Sequence, residues 1–266
     1  MALTEKLKAI ADAIRGKTGK AEEMTLDQMP TEIEVIQSGG GGNSEEITIY
    51  ANDATNMFRM MAGRTPPDFP KKMVINFPIF GYGGVYGNIT EMFRNNEIIE
   101  DVEIHSGHRL AENTQVAYAF AGCSKLRRVV LTSAGNAQPM FWRWTFQNCP
   151  ELEEVQLKDI DFTKCALYGW NFENCPKLVT VVLKPSSIVK SETFNESSLL
   201  STESLVNIAN ALSSSASAQT LTLHATAQEN CTAIMGNNSD GTFVQDDSGA
   251  MTLTEFITTV KGWTIA

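Results

Sequence analysis

The sequence predicts an α/β leucine-rich-repeat solenoid of parallel strands, with an N-terminal helical hairpin and a C-terminal α/β cap. One repeat carries most of that reading. Four copies align without a gap: Phe93, Asn96, Ile99, Val102 and Ile104; Phe120, Cys123, Leu126, Val129 and Leu131; Phe146, Cys149, Leu152, Val155 and Leu157; Phe172, Cys175, Leu178, Val181 and Leu183. The phenylalanines stand 27, 26 and 26 residues apart. A fixed period in the twenties ending in L-x-x-V-x-L marks a leucine-rich solenoid. Such a unit cannot bury its apolar face alone, so copies stack on one continuous core. The second observation is the change of pattern at each end, from helical spacing before the repeats to alternating helix and strand after them.

Residues 1–37 read as a helical attachment module. Leu3, Leu7, Ile10 and Ile14 recur at helical spacing, and Gly16 with Gly19 ends the run. Thr25 caps a second helix carrying Leu26, Met29, Ile33 and Ile36, with Pro30 disturbing its middle or delaying its start. Both helices are too short to persist alone. Residues 38–46, with four consecutive glycines, form a flexible linker.

The solenoid is expected over 47–199. A strand opens it at Ile47–Tyr50, an irregular first repeat begins at Phe58, and a second strand covers Met73–Phe77. The glycines of 81–87 do not precede a helix with phosphate-loop spacing, so that stretch is a loop. Phe194 begins a last, divergent repeat.

Residues 200–266 form the cap. Ser201 caps a helix with Leu205, Ile208, Ala209 and Leu212 on one face. Thr220–Leu223 alternates as a strand, and residues 246–249 make a turn. Thr252 and Glu255 form a capping box before Phe256–Val260, Gly262 stops that helix, and Trp263–Ile265 is a final short strand.

Composition excludes several function classes. A net charge of −10 opposes nucleic acid, whose phosphates need clustered Lys and Arg. It gives no support to an anionic lipid surface either. No run reaches the ~20 apolar residues of a membrane helix, and the first residues lack the apolar core of a signal peptide. The expectation is a chain made in the cytoplasm and not secreted by a signal peptide. Five cysteines suggest reduced thiols. Cys123, Cys149 and Cys175 share one repeat column, in which Asn96 replaces the fourth. That argues against an obligate metal or disulfide ladder and for small residues packed beneath each turn.

Catalytic and metal chemistry find little support. His105 and His108 form an H-x-x-H pair near Glu103, without the embedded glutamate of a metalloprotease or a third ligand set by spacing. His224 stands apart from any plausible nucleophile. Asp240, Asp246 and Asp247 lack a calcium-loop register, and no paired carboxylates stand out as glycosidase acid and base. No catalytic residue, metal or cofactor is therefore expected.

Two aromatic columns are the candidate ligand-binding residues. Two positions before each repeat phenylalanine stand Glu91, Tyr118, Trp144 and Trp170; four before it stand Ile89, Val116, Trp142 and Tyr168. Stacked coils lie about 5 Å apart, so Tyr118, Trp144 and Trp170 should form a ladder. Such rings suit the C–H faces of sugars or a protein epitope. The competing expectation is internal packing, above all for Trp142 and Tyr168, because large apolar residues are commonly buried. Between the core positions of the strands, charge alternates from Glu100, Asp101 and Glu103 to Arg127 and Arg128 and then to Glu153 and Glu154. Lateral pairing on a solvated sheet follows.

The Phe-x2-Cys-x2-Leu-x2-Val-x-Leu unit, best seen from Ala119 to Leu126, resembles the BspA-like leucine-rich repeat. Residues 7–19 and Thr25–Met29 resemble the N-terminal module of tail- and baseplate-associated proteins of phages and prophages of Gram-positive bacteria. Leu205–Leu212, Thr220–Leu223 and Lys261–Thr264 resemble the C-terminal cap of such repeat proteins. The resemblance implies a non-enzymatic virion component, a tail or baseplate fibre or adhesion protein assembled in the host cytoplasm. Residues 1–37 would dock it to other tail proteins or to copies of itself. The solenoid would meet host cell-wall glycan or a surface protein. Three rival readings are a purely structural virion component, a bacterial BspA-like surface adhesin and a surface-polymer hydrolase.

Overall fold

The computed structural model describes residues 35–36, 44–48, 70–77, 89–106, 116–133, 138–139, 141–216, 218–232, 234–237, 243–245, 249 and 251–266. Its centre is a parallel-strand solenoid. Strands β2 (Ser44–Thr48), β3 (Lys72–Phe77), β4 (Asp101–Ser106) and β5 (Arg128–Ser133) lie side by side in sequence order. Between β5 and its next neighbour the chain makes β6 (Phe141–Arg143), which belongs to a second sheet. The main sheet continues with β7 (Glu154–Leu157) and, after β8 (Leu167–Gly169) in the second sheet, with β9 (Thr180–Leu183).

Register follows the repeat columns. Val102 faces Val129, Val129 faces Val155, and Val155 faces Val181. Alternation along each strand sends Val102, Ile104, Val129, Leu131, Val155, Leu157, Val181 and Leu183 inward, all buried. Behind them the phenylalanines form one column. Ring centroids step from Phe93 to Phe120 by 5.3 Å, to Phe146 by 5.5 Å, to Phe172 by 5.5 Å and to Phe194 by 4.7 Å. The last contact joins the divergent repeat to the regular ones.

The cysteine column lies beneath the turns. Each thiol donates to the carbonyl of the repeat phenylalanine one coil earlier: Cys123 to Phe93 at 2.9 Å, Cys149 to Phe120 at 3.0 Å, Cys175 to Phe146 at 3.1 Å. In the divergent repeat Ser197 takes over and donates to Cys175 O at 3.0 Å. Burial pushes the Cys123 thiol up to about 12 and the other two well above their ordinary value, so the column is protonated and unreactive.

The outer face of the sheet carries the charge ladder that the alternation predicts. Arg128 reaches Asp101 at 3.1 Å and Glu103 at 2.5 Å on one neighbour and Glu154 at 3.6 Å on the other. Lys72 continues the row toward Asp101 at 3.5 Å.

The helix Thr202–Ala211 covers the far edge of the sheet. Ser201 caps it, accepting from Ser204 N. Ser204 Oγ accepts from Val181 N of β9 at 3.0 Å and donates to the carbonyl of Val179, just before that strand, at 2.8 Å, satisfying backbone groups at the edge of the sheet. Strand β10 (Glu192–Phe194) pairs in parallel with β11 (Thr220–Leu223), followed by a short helix Ala225–Glu229. A three-stranded antiparallel sheet joins β12 (Ile234–Asn237), β13 (Phe243–Gln245) and β14 (Met251–Thr252). The Thr252–Glu255 capping box opens the last helical stretch, Gly262 with φ of 70° ends it, and β15 (Thr264–Ile265) pairs with β11.

Several expectations need correction. Ile36, read as part of a helix, lies in strand β1 (Val35–Ile36), which pairs antiparallel with β2. Strand β2 begins at Ser44, so the last residues assigned to the linker belong to the sheet. Otherwise the helical hairpin of 1–37, the irregular repeat at Phe58 and the turn at 246–248 lie outside the described residues. The sheet formed by β6 and β8, and that formed by β12, β13 and β14, were not anticipated.

Candidate binding site

The two aromatic columns separate in the structure. The β6–β8 pair, with Trp142 opposite Tyr168, sets their directions. Side chains alternate along β6, so Trp142 points inward and Arg143 outward. Trp142 is 1% exposed and packs against Phe146 at 6.4 Å and Phe162 at 5.0 Å. It fills the core and presents nothing to a ligand. Tyr168 is partly buried against the same core, 5.2 Å from Phe162, and its hydroxyl bonds the buried carboxylate of Glu192. Burial raises the Tyr168 hydroxyl well above its ordinary value.

Tyr118, Trp144 and Trp170 lie outside that core as a ladder. Tyr118 stacks on Trp144 at 4.8 Å, and Trp144 on Trp170 at 5.9 Å, with interplanar angles of 18° and 13°. Stacking is face to face, so one face of the middle ring is covered by Tyr118 and the other by Trp170 together with the Arg143 guanidinium. Exposure rises along the row: Tyr118 and Trp144 are half-buried, and Trp170 is 49% exposed.

The backbone under this ladder is left-handed. Tyr118, Trp144 and Trp170 have φ of 56°, 52° and 51°, and Glu91 in the same column 58°. Two positions after each phenylalanine the turn is left-handed again, at Asn95, Gly122, Asn148 and Asn174. Asn and Gly tolerate that conformation; bulky aromatic residues rarely adopt it. The later column is thus chosen for the backbone, whereas the earlier one holds large rings against backbone preference. Lateral hydrogen bonds enforce the shape: Tyr118 N donates to Arg143 O at 3.1 Å, Trp144 N to Gly169 O at 3.3 Å, and Phe146 N to Asn171 O at 3.0 Å.

Two arginines contact the ladder differently. Arg94 lies 4.7 Å from the Tyr118 centroid and is ion-paired with Glu91. Arg143 lies 3.5 Å from the Trp144 centroid and 4.6 Å from that of Trp170. In its column the neighbours are Ala117 and Gly169, which leave its long side chain room to lie along the rings. Arg143 has no ion pair among the described residues, and its Nε is buried without a hydrogen-bond partner. Sequence reasoning missed this cation, although the small residues on either side of it were the available signal.

Beyond Trp170 the column turns inward. Glu192 is 3% exposed, and burial raises its carboxyl above the usual range. Both its oxygens are held: Asn171 Nδ2 donates to Oε2 at 2.7 Å, and Asn171 N to Oε1 at 3.2 Å. The ladder therefore ends at Trp170.

Among the described residues no group of three His, Cys, Asp or Glu is placed to hold a metal ion. His105 bonds Thr132 Oγ1 at 2.8 Å and Glu103 Oε2 at 3.2 Å, as a member of the charged sheet face; His108 lies outside the described residues. No helix among the described residues is long and apolar enough to cross a membrane. An open cleft of about 500 Å³ in the cap is lined by Gln228, Thr254, Thr258 and Trp263 among others, and carries no charged group. No known protein family, no curated protein and no solved structure matches this chain.

Proposed function

We propose that the protein is a tail- or baseplate-associated virion component of a phage or prophage, and that its solenoid binds the host surface. The repeats are read as BspA-like leucine-rich repeats, and residues 1–37 as a helical module docking the chain to other tail proteins or to its own copies. One observation carries the binding role. Three large aromatic residues occupy left-handed positions on the outside of consecutive coils, where Asn or Gly would serve the backbone better. A surface that retains such residues against local preference is read as a recognition surface.

Two experiments test the two halves of this reading. Particles purified from an induced lysogen should contain the chain, and deletion of residues 1–34, which spares β1, should remove it from them. The purified full chain should adsorb to Gram-positive host cells. Retention of the truncated chain in particles would place the docking surface elsewhere, and failure to adsorb would leave a purely structural component. That second reading draws on the mutual stacking of Tyr118 and Trp144, whose rings also hold coils together.

A further inference from the structure

The aromatic ladder ends in a step. Tyr118, Trp144 and Trp170 follow one another along the stacking axis with nearly parallel rings. One face of Trp170 therefore looks back to Trp144 and the Arg143 guanidinium, and the other looks forward over the next coil. That coil lies close: Phe194 stacks on Phe172 at 4.7 Å, and Ser191 O stands 3.8 Å from where a Cβ on Gly169 would lie. Among the described residues no ring or cation stacks on the forward face, and Trp170 is the most exposed ring of the row, at 49%.

Beyond the step the outer surface is low and uncharged. The column of Trp170 continues through Glu192, Leu221 and Ile265, which stand in register and turn toward the core. Alternation then sends Thr193 of β10, Thr220 and Thr222 of β11 and Thr264 of β15 outward. Thr193 faces Thr222, and Thr220 faces Thr264. Every outward strand position on this floor is thus a threonine. Neighbouring groups orient the hydroxyls at its near edge. Thr193 Oγ1 donates to Asn195 Oδ1 at 3.1 Å, and Ser191 Oγ donates to Gln219 Oε1 at 3.1 Å while accepting from Thr220 N at 2.9 Å. Each of these two oxygens keeps a lone pair for a further donor.

We infer that the forward face of Trp170 and the threonine floor beyond it form a subsite for an uncharged sugar ring. This rests on reading the ladder as a binding surface and names what it binds. A pyranose has an apolar C–H face and a rim of hydroxyls. The face rests on the indole, and the rim meets Ser191, Thr193 and Thr222. The step has room for one ring, because coils lie about 5 Å apart and stacked rings adopt roughly 4.5–7 Å. Charge selects against acids. No outward strand position of the floor is charged, and Arg143 lies behind the indole, so a carboxylate there would lose water without gaining a partner. An aromatic side chain of a partner protein would cover the indole but leave the hydroxyls beneath it unmatched. A sugar supplies both contacts. One subsite gives weak affinity, and copies on a particle multiply it.

The test titrates the full chain, followed by tryptophan fluorescence, with maltotriose, mannotriose and chitotriose as neutral probes. Trigalacturonate serves as the acid, and the blocked peptide acetyl-Gly-Phe-Gly-amide as the aromatic rival. At least one neutral trisaccharide should bind with Kd of about 1 mM or below, and at least about tenfold more tightly than the acid or the peptide. Trp170→Asn, a residue left-handed turns accept at Asn148 and Asn174, should abolish binding while cooperative unfolding is kept. Thr193→Val keeps the shape, removes the hydroxyl and should weaken binding about fivefold. No binding of any neutral probe at about 10 mM, an acid or peptide bound as tightly as the best sugar, or binding that survives Trp170→Asn or is unchanged by Thr193→Val would overturn the subsite. Adsorption to cells, measured separately, decides the broader proposal, which stands if cells are bound while every sugar fails.

Discussion

Asn171 grips the carboxylate of Glu192 with two donors, its side-chain amide at 2.7 Å and its backbone N–H at 3.2 Å. Tyr168 adds its hydroxyl, and Thr193 N donates to Oε1 at 3.0 Å. All three side chains of this network lie where the aromatic ladder stops. Glu192→Ala would leave several buried donors without an acceptor and should destabilise the fold by about 2–4 kcal/mol in chemical denaturation.

The same carboxyl makes stability depend on pH. Its folded pKa is raised by burial, so the folded state binds the proton more tightly than the unfolded state. Its contribution is therefore fully present below the unfolded value and is lost as pH rises through the folded one. Wild type should gain stability over Glu192→Gln as pH falls from neutral toward the ordinary carboxylate range. Parallel profiles for the two proteins would show that the shift is absent.

Phe146 tests the shared core. It lies 5.5 Å from Phe120 on one side and 5.5 Å from Phe172 on the other, fully buried. Phe146→Ala should cost about 3–5 kcal/mol. Hydrogen exchange should quicken in β5, β7 and β9 together, because the cavity opens between coils.

Arg128 tests the sheet face. Its hydrogen bond holds Glu103 below the ordinary carboxylate range, so this contribution is present above the unfolded value and fades as pH falls through the folded one. The groups are partly exposed, which limits the effect. Arg128→Met should cost about 1 kcal/mol at low salt and less at high salt.

The cysteine column gives a chemical test. Ser197 stands in the column and donates to a carbonyl of the coil before it, that of Cys175, so a hydroxyl fits there and Cys149→Ser should keep a donor toward Phe120 O. Cys149→Val removes the donor and leaves that buried carbonyl unmatched, costing about 1–3 kcal/mol. In the native wild type, a thiol reagent should reach none of the three column cysteines until the chain unfolds.

Legibility in the sequence followed the strength of periodic signals. The four strands β4, β5, β7 and β9 of the main sheet and the phenylalanine column stand where the repeat spacing puts them, because every coil repeats the same core residues, whereas β2 starts three residues ahead of the expected Ile47. Strands β6 and β8 escaped notice because three residues are too short to show alternation. The ladder was readable as a column, but its conformation was not. Asn95, Asn148 and Asn174 announce a left-handed turn, whereas Tyr118, Trp144 and Trp170 disguise one. Glu192 holds the same place before Phe194 but was missed because the last repeat comes after only 22 residues and lacks the Leu-x-x-Val-x-Leu pattern that marks the others.

Consecutive coils are joined along two seams, the sheet ladder at one side and the turn-to-turn hydrogen bonds at the other. Pulling along the stacking axis loads these seams one coil after another, so the chain would peel in small steps. Pulling along the strands loads many bonds at once and meets much higher resistance. The direction in which the two ends of the solenoid are tethered thus decides whether it behaves as a soft extensible strap or as a stiff strut.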